Sequence, residues 1–161
     1  MMNALLAASV VAALVSPAPM VQSAKPDFSG TWTMDATKSD FGQMPAPQSI
    51  LLVVEHKDPT LKVTVTQKSS EGEFTNIRNL TTDGTENKNT VKTMDGDQPI
   101  TSTTKWNGSI LATSAALSIQ GMSISMSETW ELSADGKSLT TSREFTTDQG
   151  SFGQKVVFTK Q

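Results

Sequence analysis

The chain has 161 residues, a formal net charge of −3, one histidine and no cysteine. Disulfides, thiol catalysis and thiolate metal sites are excluded together. Lysines are scattered among the acids with no basic stripe, so nucleic acid is not an expected partner.

In chain order, the first fifteen residues, MMNALLAASVVAALV, are uncharged and apolar, and Ser16-Pro17-Ala18-Pro19 breaks them off. Small residues at Val21, Ser23 and Ala24 suit a signal-peptidase site. Residues 1–23 therefore read as a signal peptide and 24–161 as one domain. The apolar run is too short to span a bilayer comfortably. The expectation is a periplasmic or secreted protein with no integral membrane span after cleavage.

From Phe28 onward the chain is a succession of short runs with period two. Phe28, Gly30, Trp32 and Met34 share a face, then Ile50, Leu52 and Val54, then Leu61, Val63 and Val65. Phe74, Asn76, Arg78 and Leu80 mark a fourth run, and a polar, poorly patterned stretch from Lys88 to Met94 a fifth. Ile100, Ser102, Thr104 and Trp106 follow, then Leu111, Thr113, Ala115 and Leu117. The cleanest alternation is Met122, Ile124, Met126, Glu128, Trp130 and Leu132. Leu139, Thr141, Arg143 and Phe145, then Phe152, Val156 and Phe158, complete the set. Asp58-Pro59, Asp83-Gly84, Asp95-Gly96, Asn107-Gly108 and Asp135-Gly136 between them are turn signals, because Gly and Asn tolerate the positive φ of tight hairpins.

Sequential hairpins make neighbouring strands antiparallel, and a single apolar face per strand demands one interior. The predicted fold is all-β: a single antiparallel up-and-down β-barrel of about ten strands, with a two-sheet sandwich as the alternative. The long connection from Asp35 to Gln48, with room for a short turn of helix, is a candidate lid or plug, and a cavity is expected to open near Ser39 to Pro47.

Phe28-Ser29-Gly30-Thr31-Trp32 followed by Ser39-Asp40-Phe41 resembles the opening of the fatty-acid-binding proteins, and G-x-W on a first strand also marks the lipocalins. Thr82-Asp83-Gly84, Lys88, Val91, Asp95-Gly96 and Lys105-Trp106-Asn107-Gly108 follow the order and spacing of the fatty-acid binders' middle strands. The resemblance is to the calycins. It implies a lipocalin/fatty-acid-binding-protein-like barrel over 24–161 that holds apolar small molecules. The departures matter. The Arg and Tyr that grip a ligand carboxylate on that family's last strand read Val156 and Phe158 here, and a second expected arginine falls near Ala115. The first connection is too short for a two-helix lid, and the lipocalin T-D-Y motif is missing.

By parity, Arg78, Arg143 and Glu128 face the interior. The two guanidiniums could orient a polar ligand head, or form an internal ion pair with Glu128. Met122 and Met126, with Met34 and Met94, would give a deformable lining or plain core. Trp32 reads as barrel floor under a cation, supplied by Arg143 or Lys155. His56, beside a turn, reads as a surface residue. The expected ligand-binding set is Phe74, Arg78, Trp106, Met122, Met126, Arg143 and Phe158. With no G-x-S-x-G elbow, H-E-x-x-H or phosphate loop, no enzyme chemistry, metal or cofactor is expected. The expected function is an exported monomer binding a small hydrophobic or amphipathic molecule in its interior. The alternative is a periplasmic interaction or inhibitor protein with a packed, ligand-free barrel.

Overall fold

The computed structural model describes residues 24–93, 96–119 and 121–161. The predicted signal peptide, Met94 and Asp95 lie outside the described residues. Ten strands follow one another: β1 Gly30–Met34, β2 Ser49–Lys57, β3 Thr60–Ser69, β4 Gly72–Thr81, β5 Asp83–Thr93, β6 Gly96–Asn107, β7 Ile110–Ile119, β8 Met122–Leu132, β9 Ser138–Thr147 and β10 Gly150–Lys160. They form one antiparallel sheet in the order β4-β3-β2-β1-β10-β9-β8-β7-β6-β5. Strand β1 closes on β10, Trp32 facing Lys160 and Met34 facing Phe158. The sheet is thus a nearly closed up-and-down barrel.

Burial follows the predicted parity. Along β7, Leu111, Thr113 and Ala115 are buried while Ser114 and Ala116 are exposed; along β8, Met126, Glu128 and Trp130 are buried while Ser125 and Ser127 are exposed. One period-two face therefore supplies the interior, and Ser and Thr supply much of the outside. The fifth strand is longer than the polar stretch predicted it, beginning at Asp83.

The barrel's two ends differ. The β2–β3, β6–β7 and β8–β9 turns lie at one end, which is packed solid by Phe28, Trp32, Leu61, Leu111, Trp130 and Leu139. The Trp32 indole donates from Nε1 to the Phe28 carbonyl at 2.9 Å, so this wholly buried ring leaves no orphan donor. The cation above it is Lys160, with Nζ 5.1 Å from the ring centroid, rather than Arg143 or Lys155. Trp32 and Lys160 are partners in the β1–β10 register, which the sequence spacing did not reveal. A smaller cluster of Ile100, Ala115 and Met126, flanked by Val91, Leu117 and Phe145, lies toward the other end.

His56 is not a surface residue: its side chain is 3% exposed. The segment before β1 folds across it, Phe28 N–H donating to Nδ1 at 3.2 Å, and the Phe28 and Trp106 rings pack beside it.

The hairpin expected at Asp83-Gly84 does not form a ladder. Strands β4 and β5 are adjacent but are not hydrogen-bonded as a strand pair. Asparagine side chains bridge them instead. Asn89 accepts from Asn79 N–H at Oδ1 (2.8 Å) and donates from Nδ2 to Asn79 C=O (3.0 Å). Asn76 does the same for Lys92, at 2.6 and 3.4 Å. Asn87 accepts from Thr81 N–H at 2.9 Å. A carboxamide carries the same donor and acceptor as a peptide group, so each asparagine stands in for the missing neighbouring strand. The pairs 76/92, 79/89 and 81/87 keep a single antiparallel register, held open by the width of a side chain.

Candidate functional site

Above the packed end the interior opens. A cavity of about 160 Å³ is lined by Phe41, Ile50, Arg78, Glu128, Arg143 and Phe158 among others. A second, of about 200 Å³, shares Val65, Gln67, Arg78, Arg143 and Phe145 with it and extends to Val91, Ile100 and Met126. A third, of about 500 Å³, begins at Met44, Pro45 and Pro47, which also line the first, and runs past Phe74, Asn76 and Lys92. Their shared lining residues set the three side by side as a tract from the barrel middle to the end that carries the β3–β4 turn.

The connection before β2 forms the rim of this tract. It contains turns but no helix. Phe41 is buried and Met44 is 42% exposed. Asp40 bridges to Lys155, each accepting the other's N–H at 2.7 Å, which ties the connection to β10. Gly42 adopts φ 57°, and a Cβ there would stand 2.5 Å from the Gly153 carbonyl oxygen, so only glycine fits this approach.

The cavity's chemistry resides in three side chains. Glu128, on β8, faces Arg143 on β9 in the strand register. Its Oε1 accepts from Arg143 Nη2 at 2.5 Å, and its Oε2 accepts from Arg78 Nη1 on β4, across the interior, at 2.8 Å. The Glu128 side chain is 1% exposed, Arg78 10% and Arg143 28%. Burial alone would raise the Glu128 pKa. The charges of Arg143 and Arg78, and their hydrogen bonds, outweigh it and hold the carboxyl well below its ordinary range. Two permanent guanidinium charges face one carboxylate, so the cluster carries one net positive charge. Arg143 Nε is buried with no hydrogen-bond partner among the described residues. Buried N–H groups are nearly always hydrogen-bonded, so this donor is available to an incoming acceptor. Phe145 packs under Arg143, whose Cζ lies 5.9 Å from the ring centroid, and stacks on Phe152.

Of the residues singled out from the sequence, Phe74, Arg78, Met126, Arg143 and Phe158 line the tract. Trp106 and Met122 do not line it. Trp106 has interior parity but stands at the packed end, where it stacks on Phe28 at 5.9 Å and donates from Nε1 to Asp58 Oδ1 at 2.8 Å. Asp58 also accepts from Thr82 and from Lys25, and these hydrogen bonds hold its carboxyl well below the usual range. Met122 begins β8 at the opposite end and is 41% exposed. Gln67 and Gln154 were missed, whereas the rim residues Pro45 and Pro47 fall in the segment from Ser39 to Pro47 where a cavity was expected to open. The two glutamines sit on interior parity in strands of mixed polarity, which was the available signal. Among the described residues, no three His, Asp or Glu side chains converge as a metal site would require. No helix among them is long and apolar enough to cross a membrane.

No protein-family model matches the sequence, and no curated protein matches it. A solved structure does match: zebrafish ileal bile acid-binding protein complexed with cholic acid, at a TM-score of 0.50 over 83% of this chain and 98% of that one, with 15% identity. The chain shares that protein's fold, a ten-stranded, nearly closed antiparallel barrel of the calycin kind expected from the sequence. The likeness is one of fold, and it is the zebrafish protein that is named as a binding protein. Within this barrel, the Arg78–Glu128–Arg143 cluster is built on β4, β8 and β9. The last strand, where the resemblance led us to look for a carboxylate grip, supplies Val156 and Phe158 as apolar wall.

Proposed function

We infer that the protein binds a small amphipathic molecule bearing a negative charge. Its head sits at Arg78 and Arg143 and its apolar part lies along the tract toward Met44 and Phe74. The observation that carries this reading is the excess of one positive charge, on one buried and one part-buried arginine, at the inner end of an otherwise largely apolar tract. A buried cation without full compensation is costly unless an anion completes it. A guanidinium offers a planar fork that suits carboxylate oxygens. The calycin fold, whose solved counterpart holds cholic acid, supports a binding role rather than catalysis. The leader-like sequence of residues 1–23 supports export to the periplasm or medium, with the barrel acting there as a monomeric carrier.

Titration of the purified protein with a fluorescent fatty-acid probe, together with native mass spectrometry, tests the reading. One ligand per chain is expected. Absence of uptake across fatty acids, sterol acids and terpenoid acids would refute it.

One observation favours a second reading, an interaction protein that works through its outer surface. Leu51, Val53 and Ile77 are exposed on the outer face of β2 and β4, with Thr64 lying between Val53 and Ile77 in the register. A stoichiometric protein partner recovered from the native envelope, lost on Ile77→Lys, would support this reading over the first.

A further inference from the structure

Either Arg78 or Arg143 could meet solvent by extending toward the tract, which they both line. Instead both are drawn onto one carboxylate, which fills part of the donor surface that an incoming acid would use. The cluster's donors are divided. Arg78 Nη1 and Arg143 Nη2 are engaged by Glu128, and the buried Arg143 Nε is not engaged. The cluster's charge is thereby set at one positive unit rather than two. A ligand head with one negative charge brings the buried site to neutrality. A head with two would leave a buried negative charge beside the Glu128 carboxylate, where like charges are strongly unfavourable. Among the described residues, other ionisable groups do not alter this count at the inner end: Lys92 and Glu71 line only the outermost part of the tract.

We propose that Glu128 is a specificity-determining residue, an internal counter-ion that restricts the cavity to singly charged acids and rejects doubly charged heads such as phosphate monoesters. The inference rests on the binding reading above and adds to it the charge class of the ligand.

The test compares twelve-carbon ligands of equal tail: dodecanol, dodecanoate and dodecyl phosphate. Binding to the full chain is measured calorimetrically below the ligands' micelle concentrations. The buffer stands at about pH 8.5, where a phosphate monoester with a second pKa of about 6 is dianionic. The wild-type protein should bind dodecanoate at least about tenfold more tightly than dodecanol, and dodecyl phosphate no more tightly than dodecanoate. Glu128→Gln keeps the shape and an acceptor but raises the cluster to two positive charges. It should improve dodecyl phosphate relative to dodecanoate by about tenfold or more, with dodecanol unchanged. Arg78→Met leaves a neutral pair and should abolish the preference for dodecanoate over dodecanol. A residue of merely structural importance would weaken all three ligands alike. Wild-type protein that binds dodecyl phosphate more tightly than dodecanoate, or a Glu128→Gln variant that leaves the order unchanged, overturns the proposal while the binding reading stands. Failure to bind all three ligands overturns the binding reading itself. If Glu128→Gln does not fold, the wild-type order and the Arg78→Met result decide.

Discussion

The β4–β5 seam gives a sharp test of how this barrel is closed. Asn76→Ala with Asn89→Ala removes four hydrogen bonds: both carboxamide contacts to Lys92 and both to Asn79. A typical intramolecular hydrogen bond contributes a net of about 0.5–1.5 kcal/mol. These are exposed, so water can replace part of each, and the lower figure applies. The double variant should lose about 2 kcal/mol of resistance to opening at the seam. Each 1.4 kcal/mol is a factor of about ten in an equilibrium constant. The Asn79 and Lys92 amides should then exchange with deuterium about ten- to thirtyfold faster than in the wild type. Amides in the β8–β9 ladder, on the far side of the barrel, should gain only what the loss of global stability imposes. The thermal midpoint should fall by several degrees, as expected for a domain of this size. Unchanged exchange at Asn79 and Lys92 in the double variant would refute the idea that side-chain amides hold these strands together. The seam bears on function because Asn76 and Lys92 both line the outer part of the tract.

Three further outcomes are expected. Burial holds the His56 pKa below its ordinary value, although Asp27 and Asp58 oppose this. The unfolded chain therefore binds the proton more readily, and stability should decline as pH falls below about 6.5, levelling off once the folded histidine titrates. Urea midpoints measured between about pH 5 and 8 should lose this component in His56→Gln, and an unaltered profile would count against it. Glu128→Met alone leaves two arginines facing each other and should cost about 3–5 kcal/mol, whereas methionine at all three of Arg78, Glu128 and Arg143 should recover most of the loss. Chemical denaturation distinguishes these, and additive losses would show that the three do not act as a unit. Gly42→Ala forces a Cβ toward the Gly153 carbonyl at a positive φ and should cost more than about 1 kcal/mol. Lowered protection of the Lys155 amide, which bonds Asp40, should accompany it; an unchanged melting point would contradict the packing described.

Alternation with period two is a local property, because successive side chains on a strand point to opposite faces. It is why the inward placement of Arg78, Glu128, Arg143 and Met126 was legible from the chain alone, as were the turns and the single interior. The height of a residue along the barrel axis is not local. It depends on strand tilt and register, which are properties of the closed sheet. That is why Trp106 and Met122, both with interior parity, stand at opposite ends and away from the tract. The same reason put Lys160, and not Arg143 or Lys155, over Trp32. The seam was hidden for a different cause: Asp83-Gly84 is a sound turn signal, but turn chemistry cannot tell a backbone ladder from one spread open by asparagine side chains.

By itself, then, the sequence determined an all-β chain with one apolar face and the polar residues that intrude on it. Only the closed structure decided that Arg78, fifty positions from Glu128, meets the same carboxylate as Arg143. Residues so far apart in the chain are brought to one height by the register of the intervening strands, and local pattern carries no record of that register.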